Sequence, residues 1–519
     1  MFWFKRALRD ADEVCTSAFD HAFTPSRNPW RHLGSLAFLC LVLVVASGIV
    51  GYALYDTSVT GAYQSGLRLQ NDPLFLGRLL RGLHRYGADA CMLLTLLHLL
   101  REGLRGHYSG VRWFSWLTGV PLLWLMWIAG LTGLWLLWDA RALFSITATA
   151  EWMQALPIGA ELLARNFLTP EALNDRFFSL VMFIHIGVPL LVLAAVWVHV
   201  QRVSQVRIWP PRELVVPTLA MLCLLSLVFP ALSLGAADLA YVPHQVSLDW
   251  FYLFPHPLVD AFSANAIWWA AAALSLALAA LPLLPSSHRD TLRAAAQVHL
   301  AHCNGCTRCV ADCPFGAVSM VARTDGTRYR VQAAVNPDWC AGCGICVGAC
   351  PSSTPFRRIE DMVSGIEMPA APMAQLRREL QSKMASLGGA SKIVVFSCRQ
   401  AGNCAPLADA ATAVMEMECA AMLPPAFLEY ALRLGAAGAV IAGCREADCE
   451  FRLGTQWVNQ RIDGAREPYL RSSVARERIA LTWSGRDMLR VAGTISTLRT
   501  RVEAIDGMGP SPLESRSAT

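Results

Sequence analysis

The chain has 519 residues, of which 54% are hydrophobic and only 16% charged. Its mean hydropathy of +0.38 excludes an ordinary soluble globular protein and fits a polytopic membrane protein. The net charge of +5 is small and dispersed, which gives no basis for nucleic-acid binding.

Residues 1–32 mix acidic and basic side chains, and the first long apolar run starts at Leu33. A cleavable signal would place its apolar stretch earlier, so 1–32 is expected to be a cytoplasmic N-terminal segment. Six apolar runs then reach the length of about 20 residues that a spanning helix needs. They lie near 33–55, 78–102, 115–138, 178–201, 214–234 and 263–284. An amphipathic loop, 139–177, separates the third from the fourth. Loop 235–262 precedes the sixth and contains no Lys or Arg. Basic residues gather instead before the first run (Lys5, Arg6, Arg9, Arg27, Arg31), after the second (Arg101, Arg105, Arg112) and after the fourth (Arg202, Arg207, Arg212). The positive-inside bias assigns those three regions to the cytoplasm. Six spans return the polar half, which begins after Pro285, to the same side of the cytoplasmic membrane.

Two of the runs carry histidine pairs at one spacing: His84 and His98, then His185 and His199. Fourteen residues on a helix rise about 21 Å and fall about 40° short of four turns. Both imidazoles of a pair therefore leave nearly the same face, one near each membrane surface. Two such helices side by side make two stacked bis-histidine sites, a normal axial arrangement for haem iron. Gly34 and Gly48, and Gly119 and Gly133, repeat the period on two other runs. A residue without a side chain lets a flat macrocycle approach the backbone. The alternative is packing glycines and core histidines, but intramembrane histidines are rare and usually functional.

Arg81–Gly82–Leu83–His84, Gly87–Ala88, and His98 with Arg101 resemble the second helix of the cytochrome b of quinol-oxidising bc and bf complexes. Trp116–Leu117–Thr118–Gly119–Val120 and Gly130–Leu131–Thr132–Gly133 with Trp138–Asp139 resemble its third, although Leu137 stands where that family has proline. Arg176–Phe177–Phe178–Ser179 before His185 resembles the fourth. Over about residues 25–285 the resemblance implies two b haems, His84 with His185 on the outer side and His98 with His199 on the cytoplasmic side. It implies Arg81, Arg101 and Arg176 as propionate partners, or else as topology signals. It implies quinone as substrate and leaves a homodimer open. Leu248–Asp249–Trp250–Phe251–Tyr252 resembles the family's Pro-Glu-Trp-Tyr quinol motif, with Asp249 for the glutamate and Leu248 for the proline. Asp249, Trp250 and Tyr252 are thus candidate quinone-site residues, Asp249 as a general base. An interfacial aromatic belt with one solvated acid is the other reading.

The 17 cysteines fall four before residue 303 and thirteen from it on, in tight runs that point to metal ligation. Cys303, Cys306, Cys309 and Cys313–Pro314 form C-x2-C-x2-C-x3-C-P, and Cys340, Cys343, Cys346 and Cys350–Pro351 repeat it. In the bacterial two-cluster ferredoxin arrangement the fourth cysteine of each run serves the other cluster. One 4Fe–4S cluster then takes Cys303, Cys306, Cys309 and Cys350, and the second takes Cys340, Cys343, Cys346 and Cys313. Structural zinc is the alternative. Five cysteines follow: Cys398, Cys404, Cys419, Cys444 and Cys449. Three come directly after β-like runs, where strand ends of an open α/β sheet place cofactors. This part resembles the delta subunit of methyl-viologen-reducing hydrogenases. That implies a 2Fe–2S cluster on four of the five, with free thiols or zinc as alternatives.

The expected fold class is a mainly α six-span bundle, then an α+β two-cluster ferredoxin domain, then a small α/β iron–sulfur domain. The expected domains are 1–32, 33–285, 286–365, a linker at 366–390, 391–506 and a disordered tail at 507–519. No nucleophile–base arrangement is visible, so the chemistry belongs to the cofactors. The leading expectation is the quinone-reactive electron-transfer subunit of an oxidoreductase complex. It would join the quinone pool to a cytoplasmic heterodisulfide-reductase-like, hydrogenase or formate dehydrogenase complex. The alternative is a non-catalytic membrane anchor, docking subunit or redox sensor of such a complex. An oxidase is a third class, and six-coordinate haem disfavours it.

Overall fold

The structure, a computed structural model, describes residues 2–24, 27–156, 173–240, 246–247, 249–284, 294–357, 362–389 and 391–507. Leu248, the boundary at Pro285 and the tail after Gly507 lie outside the described residues. Contacts divide the chain into two units, one formed by Met1–Gln201 with Val206–Arg289, the other by Arg202–Gln205 with Asp290–Thr519.

The first unit is helical. After α1 (Phe2–Ala22) come α2 (Leu33–Ala53), α3 (Gly61–Gln70), α4 (Leu76–Leu104), α5 (Trp113–Trp135) and α6 (Ala140–Gln154). Then follow α7 (Asp175–Val200), α8 (Arg212–Val228), α9 (Pro255–Ala261) and α10 (Ala264–Ala280). Side-chain caps start several of them. Asn174 accepts from the amides of Arg176 and Phe177 at the head of α7, and Ser263 accepts from Ala266 at α10, satisfying donors the helix cannot use. α2 packs along α4, and α5 along α7.

Leu33–Ala53, Gly110–Trp135, Asp175–Val200 and Ala264–Leu283 are long and apolar enough to cross a membrane. Helices also occupy the two other expected places. There α4 carries several charged side chains, and α8 is only 17 residues long. α10 has no buried residue, and Phe183, Trp197 and Trp269 are 75%, 67% and 69% exposed. In water so much bare apolar surface is a liability; against lipid it is the expected surface.

Part of the expected loop 139–177 is helical. Asp139 caps α6 by accepting from the Ala142 amide. Ala142, Leu143, Ile146 and Ala150 are buried along one face at helical spacing.

The second unit begins with two antiparallel pairs. β1 (Gln297–Val298) pairs with β4 (Ile366–Glu367), and β2 (Val318–Ala322) with β3 (Val331–Val335). Between them lie two short helices, α11 (Arg308–Asp312) and α12 (Ile345–Ala349). The stretch expected as a linker, 366–390, instead holds β4 and α13 (Met373–Ser386). Its Pro and Ala content suggested a spacer. Yet Met373, Leu376, Leu380 and Met384, three and four apart, form the buried stripe of an amphipathic helix.

A parallel sheet ends the chain, ordered β6 (Thr412–Met417), β5 (Ile393–Cys398), β7 (Gly438–Ala442) and β8 (Ile479–Thr482). α14 (Ala426–Arg433), α15 (Gly454–Ile462) and α16 (Met488–Gly507) accompany it. Every residue of β5 and β7 is buried, as central parallel strands require. Val491, Ile495, Leu498 and Val502 of α16 pack on Ile393, Val395 and Val440.

Candidate metal centres

The four histidines sit on two helices, His84 and His98 on α4 and His185 and His199 on α7. Each ring lies against one glycine of the neighbouring helix. A Cβ on Gly48 would stand 3.0 Å from His84 Cε1, and one on Gly34 3.1 Å from His98 Cε1. The same holds for Gly133 and His185 at 2.8 Å, and for Gly119 and His199 at 3.2 Å. In the structure each of these glycines gives room to an imidazole, because a side chain there would displace the ring.

The residue before three of these glycines is Ser or Thr, and its hydroxyl holds the ring. His84 Nδ1 lies 3.1 Å from both the Val44 carbonyl and Ser47 Oγ. His185 Nδ1 lies 2.9 Å from the Ala129 carbonyl and 3.4 Å from Thr132 Oγ1. His199 Nδ1 lies 3.2 Å from Thr118 Oγ1. Each hydroxyl spends its proton on its own helix, on Leu43, Ile128 and Phe114 respectively. A carbonyl can only accept, so Nδ1 of His84 and of His185 carries the proton and Nε2 keeps a free lone pair. The hydroxyl signal, Ser47–Gly48, Thr118–Gly119 and Thr132–Gly133, was legible but not used. Leu33 stands in that place beside Gly34.

The His84 and His185 ring centroids are 6.2 Å apart across α4 and α7. That gap accommodates one metal atom bound to both rings at the roughly 2 Å of an imidazole–metal bond. The residues therefore fit a bis-histidine haem. Arg81 donates to the Gly66 carbonyl, to Gln70 and to Ser233. Arg101 is buried and pairs with Asp12, whereas Arg176 is exposed.

The candidate quinone residues divide. Trp250 is 78% exposed, whereas Asp249 and Tyr252 are buried. Asp249 accepts from the amides of Phe251 and Tyr252 and forms an ion pair with Arg85. The Tyr252 ring lies beneath the Arg85 guanidinium and fills the space a side chain on Gly130 would need. Arg85 also pairs with Asp89 at 3.4 Å. Arg85 and Asp89 were missed by the sequence reading. Their signal was a pair of opposite charges four residues apart inside an apolar run.

In the second unit the two cysteine runs share one local geometry. Gly305 and Thr307 have φ of 69° and 64°, and their counterparts 37 residues on, Gly342 and Gly344, have 64° and 73°. These left-handed residues between successive cysteines curl each run around a point. Cys313, Cys340, Cys343 and Cys346, the crossed set expected for the second cluster, line one small pocket. Burial pushes the Cys309 thiol up to about 12, with Cys350, Cys306 and Cys303 adding to it. Burial likewise pushes up Cys343, with Cys313 and Cys340 adding. Cys309, Cys313, Cys343 and Cys346 are buried and the other four are half-buried, and thiols gathered in two such fours fit cores whose positive iron would neutralise their thiolates.

The five C-terminal cysteines also divide. Cys398 ends β5, while Cys419 and Cys444 follow β6 and β7, at the carboxyl ends of three adjacent strands. Cys398 and Cys444 sulfurs are 3.9 Å apart. Bonds from Cys419 and Cys444 hold Cys398 and Cys449 well below the usual thiol value, closing a ring of four sulfurs. Gly454 leaves room for this group, since a Cβ there would meet Cys419 and Cys449 Sγ at 2.7 and 3.1 Å. Cys404 stands apart, in the hydrophobic core with its sulfur 3.8 Å from Met488 Sδ.

Comparison with known proteins gives three family matches. They are cytochrome b/b6/petB over residues 19–206, the 4Fe–4S dicluster domain over 302–354, and the methyl-viologen-reducing hydrogenase delta subunit over 393–507. The chain is 30% identical over 195 residues to the menaquinol:cytochrome c reductase cytochrome b subunit of Geobacillus thermodenitrificans, covering 35% of this chain and 87% of that one. It is 27% identical over 186 residues to cytochrome b6 of Prochlorothrix hollandica, covering 35% and 83%. A solved chain described as hyperthermophilic respiratory Complex III aligns with a TM-score of 0.40 at 20% identity, over 49% of this chain and 75% of that one.

Proposed function

The chain belongs to the cytochrome b family, with a 4Fe–4S dicluster domain and a hydrogenase-delta-like domain behind its cytochrome part, and from that premise we propose that it passes electrons between quinone and a cytoplasmic redox partner. A membrane electron-transfer role, haem b and iron–sulfur clusters follow from the family matches themselves. The finer reading is ours. Two b haems are held by His84 with His185 and by His98 with His199. Two 4Fe–4S clusters are held by Cys303, Cys306, Cys309 and Cys350, and by Cys340, Cys343, Cys346 and Cys313. One 2Fe–2S cluster is held by Cys398, Cys419, Cys444 and Cys449. Six helices span the cytoplasmic membrane, and the iron–sulfur unit lies in the cytoplasm.

The single observation that carries this reading is the imidazole pair, 6.2 Å apart, with both Nδ1 atoms tied to backbone carbonyls. When bound, these groups supply one-electron transfer. The protein's own part is to fix the tautomers of His84 and His185 through the Val44 and Ala129 carbonyls and to present both imidazoles to one metal. Two imidazoles on one haem iron would leave no open position for oxygen and would suit electron transfer. Moving an electron inward against the membrane potential costs about 2.3 kcal/mol per 100 mV. With quinone at the outer site, near Arg85, Asp249 and Tyr252, outward flow towards quinone is therefore the assisted direction. The partner fits the hydrogenase or heterodisulfide-reductase-like class through the delta-like domain.

One observation favours the alternative of a docking subunit. Asp249 is engaged by Arg85 and two amides rather than free to act as a base. The purified chain separates the two readings, since a quinone-reactive subunit oxidises a quinol analogue and an anchor does not. The proposal as a whole predicts a b-type alpha band and iron without zinc. A spectrum lacking that band, or zinc in the cysteine sites, overturns it. Copurification from native membranes identifies the partner.

A further inference from the structure

Arg461, on α15, is 1% exposed, a fully buried cation. Its guanidinium touches three cysteine-bearing segments of the second unit. Nη2 donates to Asp312 Oδ2 at 2.6 Å and to the Ile345 carbonyl at 3.4 Å, and Nη1 donates to the Ala421 carbonyl at 2.8 Å. Asp312 precedes Cys313, Ile345 precedes Cys346, and Ala421 lies two residues after Cys419. One cation thus reaches the loops of the second 4Fe–4S centre and the loop of the C-terminal four-cysteine centre. Gly348 lets α12 come this close, because a Cβ there would overlap both the Ala421 carbonyl and Arg461.

The charge count is uneven. Arg466 also donates to Asp312, at 2.5 Å, while its guanidinium stacks 3.5 Å over the Trp457 ring. Trp457 Nε1 in turn donates to the Asp312 carbonyl at 3.1 Å. Two guanidiniums thus face one buried carboxylate, and Arg461 Nε has no hydrogen-bond partner. Arg466 is 24% exposed and its charge is partly solvated, whereas Arg461 is enclosed with an unpartnered Nε, so a negative neighbour beside Arg461 is favourable. Four thiolates around an iron–sulfur core leave such a centre net negative, and each added electron makes it more so. Cys419 acts on Arg461 electrostatically, and Cys449 acts on Cys343, so the two thiol groups are within each other's field.

We propose that Arg461 is a positioning cation shared by the second 4Fe–4S centre and the C-terminal centre, raising the reduction potential of both so that they act as a matched pair. With both clusters in place, an electron leaving one would reduce the other, with no proton moved and no bond made. The inference rests on the iron–sulfur reading above and names the residue that couples two of its centres.

The test is a redox titration followed by electron paramagnetic resonance on the full chain in detergent, with iron and acid-labile sulfide measured for every variant. Arg461→Met is expected to lower the reduction equilibrium constant of these two centres about tenfold, or 59 mV for one electron. The first 4Fe–4S centre and the haems stay in place as internal references. Arg461→Lys keeps the charge and stays within about threefold of the parent. Asp312→Asn removes the opposing charge and shifts the second 4Fe–4S centre the other way. A full iron complement with unshifted potentials in Arg461→Met overturns the inference, as does an equal shift of all three centres. If Arg461→Met loses its iron, the other two variants decide, and a downward or absent shift in Asp312→Asn overturns it. A parent chain without iron sinks the underlying reading instead.

Discussion

The imidazole sites and the cysteine sites solve the same problem in opposite ways. In the bundle each site is built from residues a hundred positions apart, such as His84 and His185, and no local turn helps. The ring is placed by a glycine and, at three of the four, by a hydroxyl on the adjacent helix, so the site exists only once α2 packs on α4 and α5 on α7. In the ferredoxin part, three of each four cysteines lie within seven residues, curled by left-handed residues whose backbone angles recur at a fixed offset. On the proposed crossed ligation, only the fourth cysteine arrives from the other run. The lesson is that a large planar cofactor can be held by a helical period, whereas a compact metal core needs a local loop.

Four comparisons by substitution test that contrast, in descending order of effect. His98→Ala is expected to remove the cytoplasmic-side haem and leave the outer one, halving haem per chain in a haemochrome assay; a titration that still resolves two b haems would break the pairing. Next, Cys449→Ser is expected to abolish the 2Fe–2S signal while Cys404→Ser keeps it, because Cys404 is buried beside Met488 rather than in the sulfur ring. Equal loss in both variants would put Cys404 back among the ligands. Gly133→Leu should lower haem content, since even a Cβ would stand 2.8 Å from the His185 ring. Gly187→Leu on α7 meets nothing within 4 Å and should keep it. Similar loss in both would mean that helix stability, not ring clearance, decides occupancy. The smallest change is Thr307→Gly, which relieves a left-handed residue and should stabilise the cysteine unit by about 1 kcal/mol. Thermal unfolding monitored through the iron–sulfur absorbance measures it, and a lower midpoint would contradict a strained Thr307.

The histidine period, the doubled cysteine motif and the three family resemblances could be read directly, because helical spacing and loop motifs repeat along the chain. Strand-end cysteines were legible too: β5 ends at Cys398, and β6 and β7 end two residues before Cys419 and Cys444. The helix at Met373–Ser386 was lost behind its composition, since Pro and Ala outweighed an apolar stripe of four residues.

Sequence by itself determined which residue types could hold metal and at what spacing, since those are local or periodic properties of the chain. Tertiary structure alone decided which residues meet. It set Cys404 apart from four other thiols, turned Trp250 outward while Tyr252 went in, gave Asp249 to Arg85, and brought Arg461 to three cysteine loops. Each of those contacts joins residues far apart in the chain, and only the packing of apolar surface around them fixes such distances.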